Sequence, residues 1–135
     1  MAYKIDEIEG IGPAYAEKMV AAGIANTDDL LKKCATPAGR AAVAAATGMG
    51  ESTILKWTNM ADLMRISGIG PQFAELLKGT GVDTVKELRN RNAENLAESM
   101  KTVNDEKKLA RVSPPGATVS KWVAAAKDMD PIITY

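Results

Sequence analysis

Apolar residues return along this chain at helical spacing. Ile54, Trp57, Thr58 and Ala61 occupy positions i, i+3, i+4 and i+7, as do Val119, Trp122, Val123 and Ala126, which puts each tryptophan on an amphipathic helix. Few segments show the β-branched alternation of a half-buried strand. Alanine is abundant, and Phe, Tyr and Trp together make up 4% of 135 residues, a composition suited to helices that approach closely through small contacts. The pattern predicts an all-α protein, with the two tryptophans as core anchors.

Polar and breaker residues mark where the helices start and stop. Thr84 with Glu87 has the spacing of a capping box, and Asn26 with Asp29 is a related pair; each follows a glycine stop, at Gly81 and Gly23. Thr36-Pro37 offers another start, with proline at the first helical position, and Ser113-Pro114-Pro115-Gly116 interrupts the chain before a last helix.

These signals recur. Ile8-Glu9-Gly10-Ile11-Gly12-Pro13 returns 58 residues later as Ile66-Ser67-Gly68-Ile69-Gly70-Pro71. At the same offset Tyr15-Ala16-Glu17 matches Phe73-Ala74-Glu75, Gly23-Ile24 matches Gly81-Val82, and Leu30 matches Leu88. Lys56-Trp57 matches Lys121-Trp122 at an offset of 65, so the second copy holds about seven extra residues between Arg89 and Ser113. The expected architecture is two pseudo-repeated units of four or five short helices packed together, spanning residues 1–62 and 63–135.

Charge and reactive residues narrow the chemistry. There are 17 basic and 17 acidic residues, so no net charge attracts a polyanion. Residues 1–62 hold 6 basic and 8 acidic side chains and residues 63–135 hold 11 and 9, a small asymmetry. With no histidine and only Cys34, an internal disulfide, a Cys/His zinc site and a His-based triad are excluded. Cys34 beside Leu30 and Leu31 is expected to be a buried small hydrophobe. The longest strongly apolar stretch, Ala41 to Ala46, is far too short for a bilayer, and the N-terminus has no basic start leading into an apolar run. A cytoplasmic monomer without cofactor or metal is expected.

The glycine motifs carry the candidate chemistry. In Gly10-Ile11-Gly12-Pro13 a tight turn between helices needs positive φ, Ile11 can point inward, and Pro13 can set the next helix. That helix begins with exposed N–H groups at the positive end of its dipole, where a phosphate oxygen can be held without base-specific contact. Gly68-Ile69-Gly70-Pro71 repeats the arrangement, and Lys18, Arg65 and Lys78 are nearby sources of positive charge. A further group, Lys101, Lys107, Lys108 and Arg111, is interrupted by Asp105 and Glu106 and reads as a solvated face.

On these residues the chain resembles the helix-hairpin-helix family: Ile8, Gly10, Ile11, Gly12, Ala16 and Met19 fit its pattern, and so do Ile66, Gly68, Ile69, Gly70, Ala74 and Leu77. The two-copy layout is similar to an uncharacterised family described as predicted flap-endonuclease-like, helix-three-turn-helix proteins, and Gly48-Met49-Gly50 looks like a degenerate partner hairpin in the first copy. The resemblance implies sequence-independent DNA binding through the phosphate backbone, in some members with a monovalent cation held by hairpin carbonyls. The chain departs from the pattern at Ala14 and Gln72, where DNA-binding members often carry Lys or Arg, and at Pro115, which stands where Gly50 stands in the first copy.

Asp6, Glu7 and Glu9 are the only dense acidic group near a hairpin and read as capping and solvating residues, so no metal-dependent nuclease chemistry is expected. The expected function is a non-catalytic module binding DNA nonspecifically, with Gly10, Ile11, Gly12, Lys18, Arg65, Gly68, Ile69, Gly70 and Lys78 forming the phosphate-binding set. The alternative is a protein-protein interaction or scaffold module. There the hairpins are purely structural and the contact surface is apolar, including the tail Pro131-Ile132-Ile133-Thr134-Tyr135.

Overall fold

Short polar side chains start four of the eight helices among the described residues, and glycine or proline precedes the other four. The structure, a computed structural model, describes residues 3–135; Met1 and Ala2, the start of the first repeat and of the N-terminal stretch without a leader pattern, lie outside the described residues. A 3-10 turn at Ile5–Glu7 precedes eight α-helices among the described residues: α1 (Pro13–Ala21), α2 (Thr27–Cys34), α3 (Pro37–Thr47), α4 (Glu51–Leu63), α5 (Pro71–Gly79), α6 (Val85–Leu88), α7 (Ala93–Lys107) and α8 (Gly116–Lys127). The protein is all-α.

Asn26, Thr36, Thr84 and Asn92 each accept, through a side-chain oxygen, the N–H of the residue three positions on, at 2.8, 3.1, 3.2 and 3.1 Å. Asp29 returns a bond to the N–H of Ala25 at 3.0 Å. The Thr84–Glu87 box is only half formed. Arg91, four residues on, is within reach, and the Glu87 carboxylate takes its Nε at 3.2 Å rather than turning back to the cap.

Matching contacts occur 58 residues apart. Ile11 N–H donates to Ile8 O and Ile69 N–H to Ile66 O, both at 3.1 Å; Ala16 donates to Gly12 O and Ala74 to Gly70 O, both at 2.9 Å. At the far ends of α1 and α5, Ile24 donates to Met19 O at 2.9 Å and Val82 to Leu77 O at 3.0 Å. Both tryptophans are buried, as their spacing predicts. Trp57 of α4 packs on Tyr15 with ring centroids 5.7 Å apart, and Trp122 of α8 packs on Phe73 at 5.3 Å, each pair tilted by 54°. The extra residues of the second half appear as a longer α7, 15 residues against 11 in α3, and a longer link before α8.

One cluster of buried side chains runs from Ile5 to Ile133 through both halves. Within it α2 packs on α3 and α4, α7 on α8 and α5, and α4 meets α5 across the middle. Buried Asp62 crosses the boundary: one carboxylate oxygen takes Arg65 Nη1 at 2.7 Å, and the other accepts the N–H of Val85, first residue of α6, at 2.8 Å.

The C-terminal tail returns to the first half. Arg89, Arg65 and Arg40 donate to the carbonyls of Met129, Asp130 and Thr134 at 2.6, 3.1 and 2.7 Å. Thr134 N–H donates to Ala35 O at 2.8 Å, and Ile133 enters the core. The tail, which the protein-interaction alternative would use as an apolar contact surface, is a strap of the fold, because its carbonyls and Ile133 are taken up internally. Ile132 and Tyr135 keep exposed faces.

Candidate nucleic-acid interface

The hairpin glycines adopt the backbone the motif requires. Gly10 and Gly68 have φ of 95° and 94°, a region closed to most side chains. A Cβ there would also meet an indole, 3.5 Å from Trp57 Nε1 at Gly10 and 3.1 Å from Trp122 Nε1 at Gly68. Each tryptophan thus backs a hairpin, while Ile11 and Ile69 are buried between the glycines. Gly48-Met49-Gly50 has the same form: Gly48 at φ 75°, Met49 buried, and Gly50 as the cap of α4. The fourth position differs, with Lys108 in the left-handed region at φ 54° and Pro115 capping α8.

At the start of α1 the N–H groups of Gly12, Ala14 and Tyr15 make no hydrogen bond among the described residues, and Pro13 has none to give. The equivalent donors at α5 are those of Gly70, Gln72 and Phe73. The surroundings of the two sets differ. Gly12 is exposed, and a Cβ on it would meet nothing within 4 Å. A Cβ on Gly70 would lie 3.6 Å from the Tyr3 hydroxyl. Tyr3 is held there because its backbone and Thr27 exchange hydrogen bonds, Tyr3 N–H to Thr27 Oγ1 at 3.1 Å and Thr27 N–H to Tyr3 O at 2.9 Å.

Glu7 and Glu9 join Tyr3, Gly68, Gly70, Pro71, Gln72 and Phe73 around an open cleft of about 590 Å³. The second hairpin therefore shares its cleft with Glu7 and Glu9, whose charges oppose an approaching phosphate, and Tyr3 covers Gly70; at the first, Glu9 directly precedes the turn but Gly12 opens to solvent. Sequence reasoning missed Tyr3, since no local pattern links it to a hairpin 65 residues away.

The expected basic residues separate. Lys18 is exposed on the last turn of α1, its Nζ 6.0 Å from the centroid of the Tyr15 ring and about 9 Å along the helix from Gly12. Arg65 is not available to a phosphate at the hairpin: its guanidinium is bound to Asp62 and to the Asp130 carbonyl. Lys78 sits in the last turn of α5, at the end away from Gly70, beside Lys56 of α4. Lys101, Lys107, Lys108 and Arg111 are all exposed, on α7 and the link after it.

Cys34 is fully buried, and burial raises its thiol above the ordinary value, with Thr58 and nearby cations pulling weakly the other way. Among the described residues no group of three or more His, Cys, Asp or Glu converges as a metal site, and no helix is long and apolar enough to cross a membrane.

No curated protein and no solved structure matches the chain. A family model does, from residue 9, just before the first hairpin, to residue 129, where the tail meets Arg89. The chain belongs to the family described as a domain of unknown function (DUF4332).

Proposed function

We propose that this chain is a tandem helix-hairpin-helix protein that binds DNA through its phosphate backbone, without reading bases and without catalysis, as a cytoplasmic monomer. The observation that carries the reading is the start of α1, where three unbonded N–H groups, those of Gly12, Ala14 and Tyr15, lie at a helix N-terminus beside an exposed glycine. Gly10 supplies the turn, Ile11 anchors it, and Lys18 adds charge further along α1. The start of α4 at Gly50 repeats the donor geometry within the same half. The hairpin at Gly68, Ile69 and Gly70 shares the backbone form but contributes less, because Tyr3, Glu7 and Glu9 border it.

Fluorescence anisotropy of labelled duplex DNA over a salt series tests this. Two or three neutralised phosphates give a logarithmic slope of about −2 to −3, and a chain without net charge belongs at the weak end of nonspecific binding, with Kd about 10⁻⁴ M near physiological salt. A protein-protein reading is favoured by one feature, the acid-lined cleft at the second hairpin, which suits a partner's basic side chain. Under that reading no salt-dependent DNA binding is expected even at low salt.

A further inference from the structure

We propose that Lys56 and Lys78, brought together where α4 meets α5, form an anion site that takes a phosphate group, separate from the hairpins. The site lies in a cavity of about 180 Å³ lined by Ser52, Leu55, Lys56, Asn59, Met60, Lys78 and Asp83. That is room for about six waters, or for a tetrahedral oxyanion with part of its parent molecule.

Both lysines line this one cavity, and burial first and Lys56 second hold Lys78 below the ordinary lysine range. Neither lysine makes an ion pair among the described residues, where both pairs found belong to arginines. Glu75, one turn before Lys78 on α5, lends a weaker opposite pull and has its Oε2 buried without a hydrogen-bond partner. Asp83 is the one carboxylate on the wall, against two ammoniums. With neither lysine held in an ion pair, their mutual repulsion opposes folding, and a bound anion relieves it.

The other wall groups fit the same ligand. Ser52 offers a hydroxyl from the first turn of α4. Asn59 Oδ1 already accepts the Tyr135 hydroxyl at 3.2 Å, which leaves the Asn59 amide N–H₂ as a donor. Ser52, Lys56 and Asn59 fall on one face of α4, the helix that starts at the Gly48–Gly50 hairpin. The phosphate can therefore come from a small phosphorylated compound or from a nucleic-acid backbone. Nothing in the sequence pairs these lysines; Val20 stands in α1 where Lys78 stands in α5, so the arrangement is made by packing one half on the other.

The test is NMR of the lysine side-chain NH₃⁺ and backbone amide groups in the full chain, titrated with inorganic phosphate and separately with a short oligonucleotide. Lys56 and Lys78 are expected to shift together and saturate in the millimolar range, while exposed Lys121, from the other Lys-Trp pair, stays unchanged. Lys56→Gln should weaken the Lys78 response about tenfold, as expected for loss of a charge-assisted contact. Saturation by phosphate alone identifies a small-anion site; saturation only by the oligonucleotide assigns the site to the nucleic-acid backbone. A response that never saturates, or that is equal at Lys121, overturns the proposal. The hairpin reading is judged in the same spectra by the Gly12 and Ala14 amides. Movement there with silent lysines rejects the lysine site alone, and saturating lysines with silent hairpin amides reject the hairpin reading alone.

Discussion

Single positions already separate structure from binding. Gly10 and Gly68 are fixed by positive φ and by the indole behind them, so Gly68→Ala should cost about 1–2 kcal/mol from the left-handed backbone, plus a displacement of Trp122. Gly10→Ala should cost less, because its Cβ has 0.4 Å more room, 3.5 Å against 3.1 Å. Urea denaturation of both variants checks the order. Cys34 gives a pH signature. Burial raises its thiol above the unfolded value, so its stabilisation is complete below the ordinary thiol range, about pH 8.5, and is lost as pH rises through the raised folded value. Wild type should lose stability over that alkaline window relative to Cys34→Ala, as equilibrium unfolding across pH will show. Both roles could be read from the sequence, the glycines from their spacing and Cys34 from its apolar neighbours. The contacts that cover Gly70 could not, since Tyr3 reaches it only through tertiary folding.

Among the elements, helices and caps were legible because each is written within a few residues: Asn26, Thr36 and Thr84 all cap as their neighbours predict. The tail was not. Pro131–Tyr135 is apolar and looks free, yet its path is set by three arginines drawn from distant elements, and arginine in a sequence reads as surface charge. Arg65 shows the same effect from the other side. Near a hairpin in sequence, it is committed to Asp62 and the strap. Arg40 is the most buried of the three and also holds the carbonyls of Cys34 and Ala35, at 3.0 and 3.2 Å. Arg40→Ala should therefore destabilise the protein by about 2–4 kcal/mol and speed hydrogen exchange at Thr134, whose N–H is bonded to Ala35. Unchanged exchange there would mean the strap holds without Arg40.

For the whole molecule, two copies of a pattern do not give two independent cores. The buried cluster is continuous, Asp62 caps α6 across the midpoint, and the strap ties Thr134 back to Arg40 and Ala35 of the first half. Heat or urea should unfold the chain in one transition with coincident fluorescence and circular dichroism curves; two separated transitions would mean the halves are energetically independent. The same packing makes the two hairpins unequal. A sequence with duplicated Gly-Ile-Gly-Pro motifs reads as two equivalent sites, but folding sets Glu7 and Glu9 of the first copy against the hairpin of the second.

That inequality points to the most direct test of phosphate binding, a comparison of duplex-DNA affinity at low salt for wild type, Gly12→Asp and Gly70→Asp. Gly12 has an extended backbone, open space and a helix-capping position, so aspartate there should preserve or slightly raise helix stability while placing a negative charge on the free amides. The account predicts that Gly12→Asp lowers affinity at least about tenfold, the effect of losing one charge-assisted phosphate contact, and that Gly70→Asp changes it far less. Equal binding by wild type and Gly12→Asp, with both folded, would contradict it.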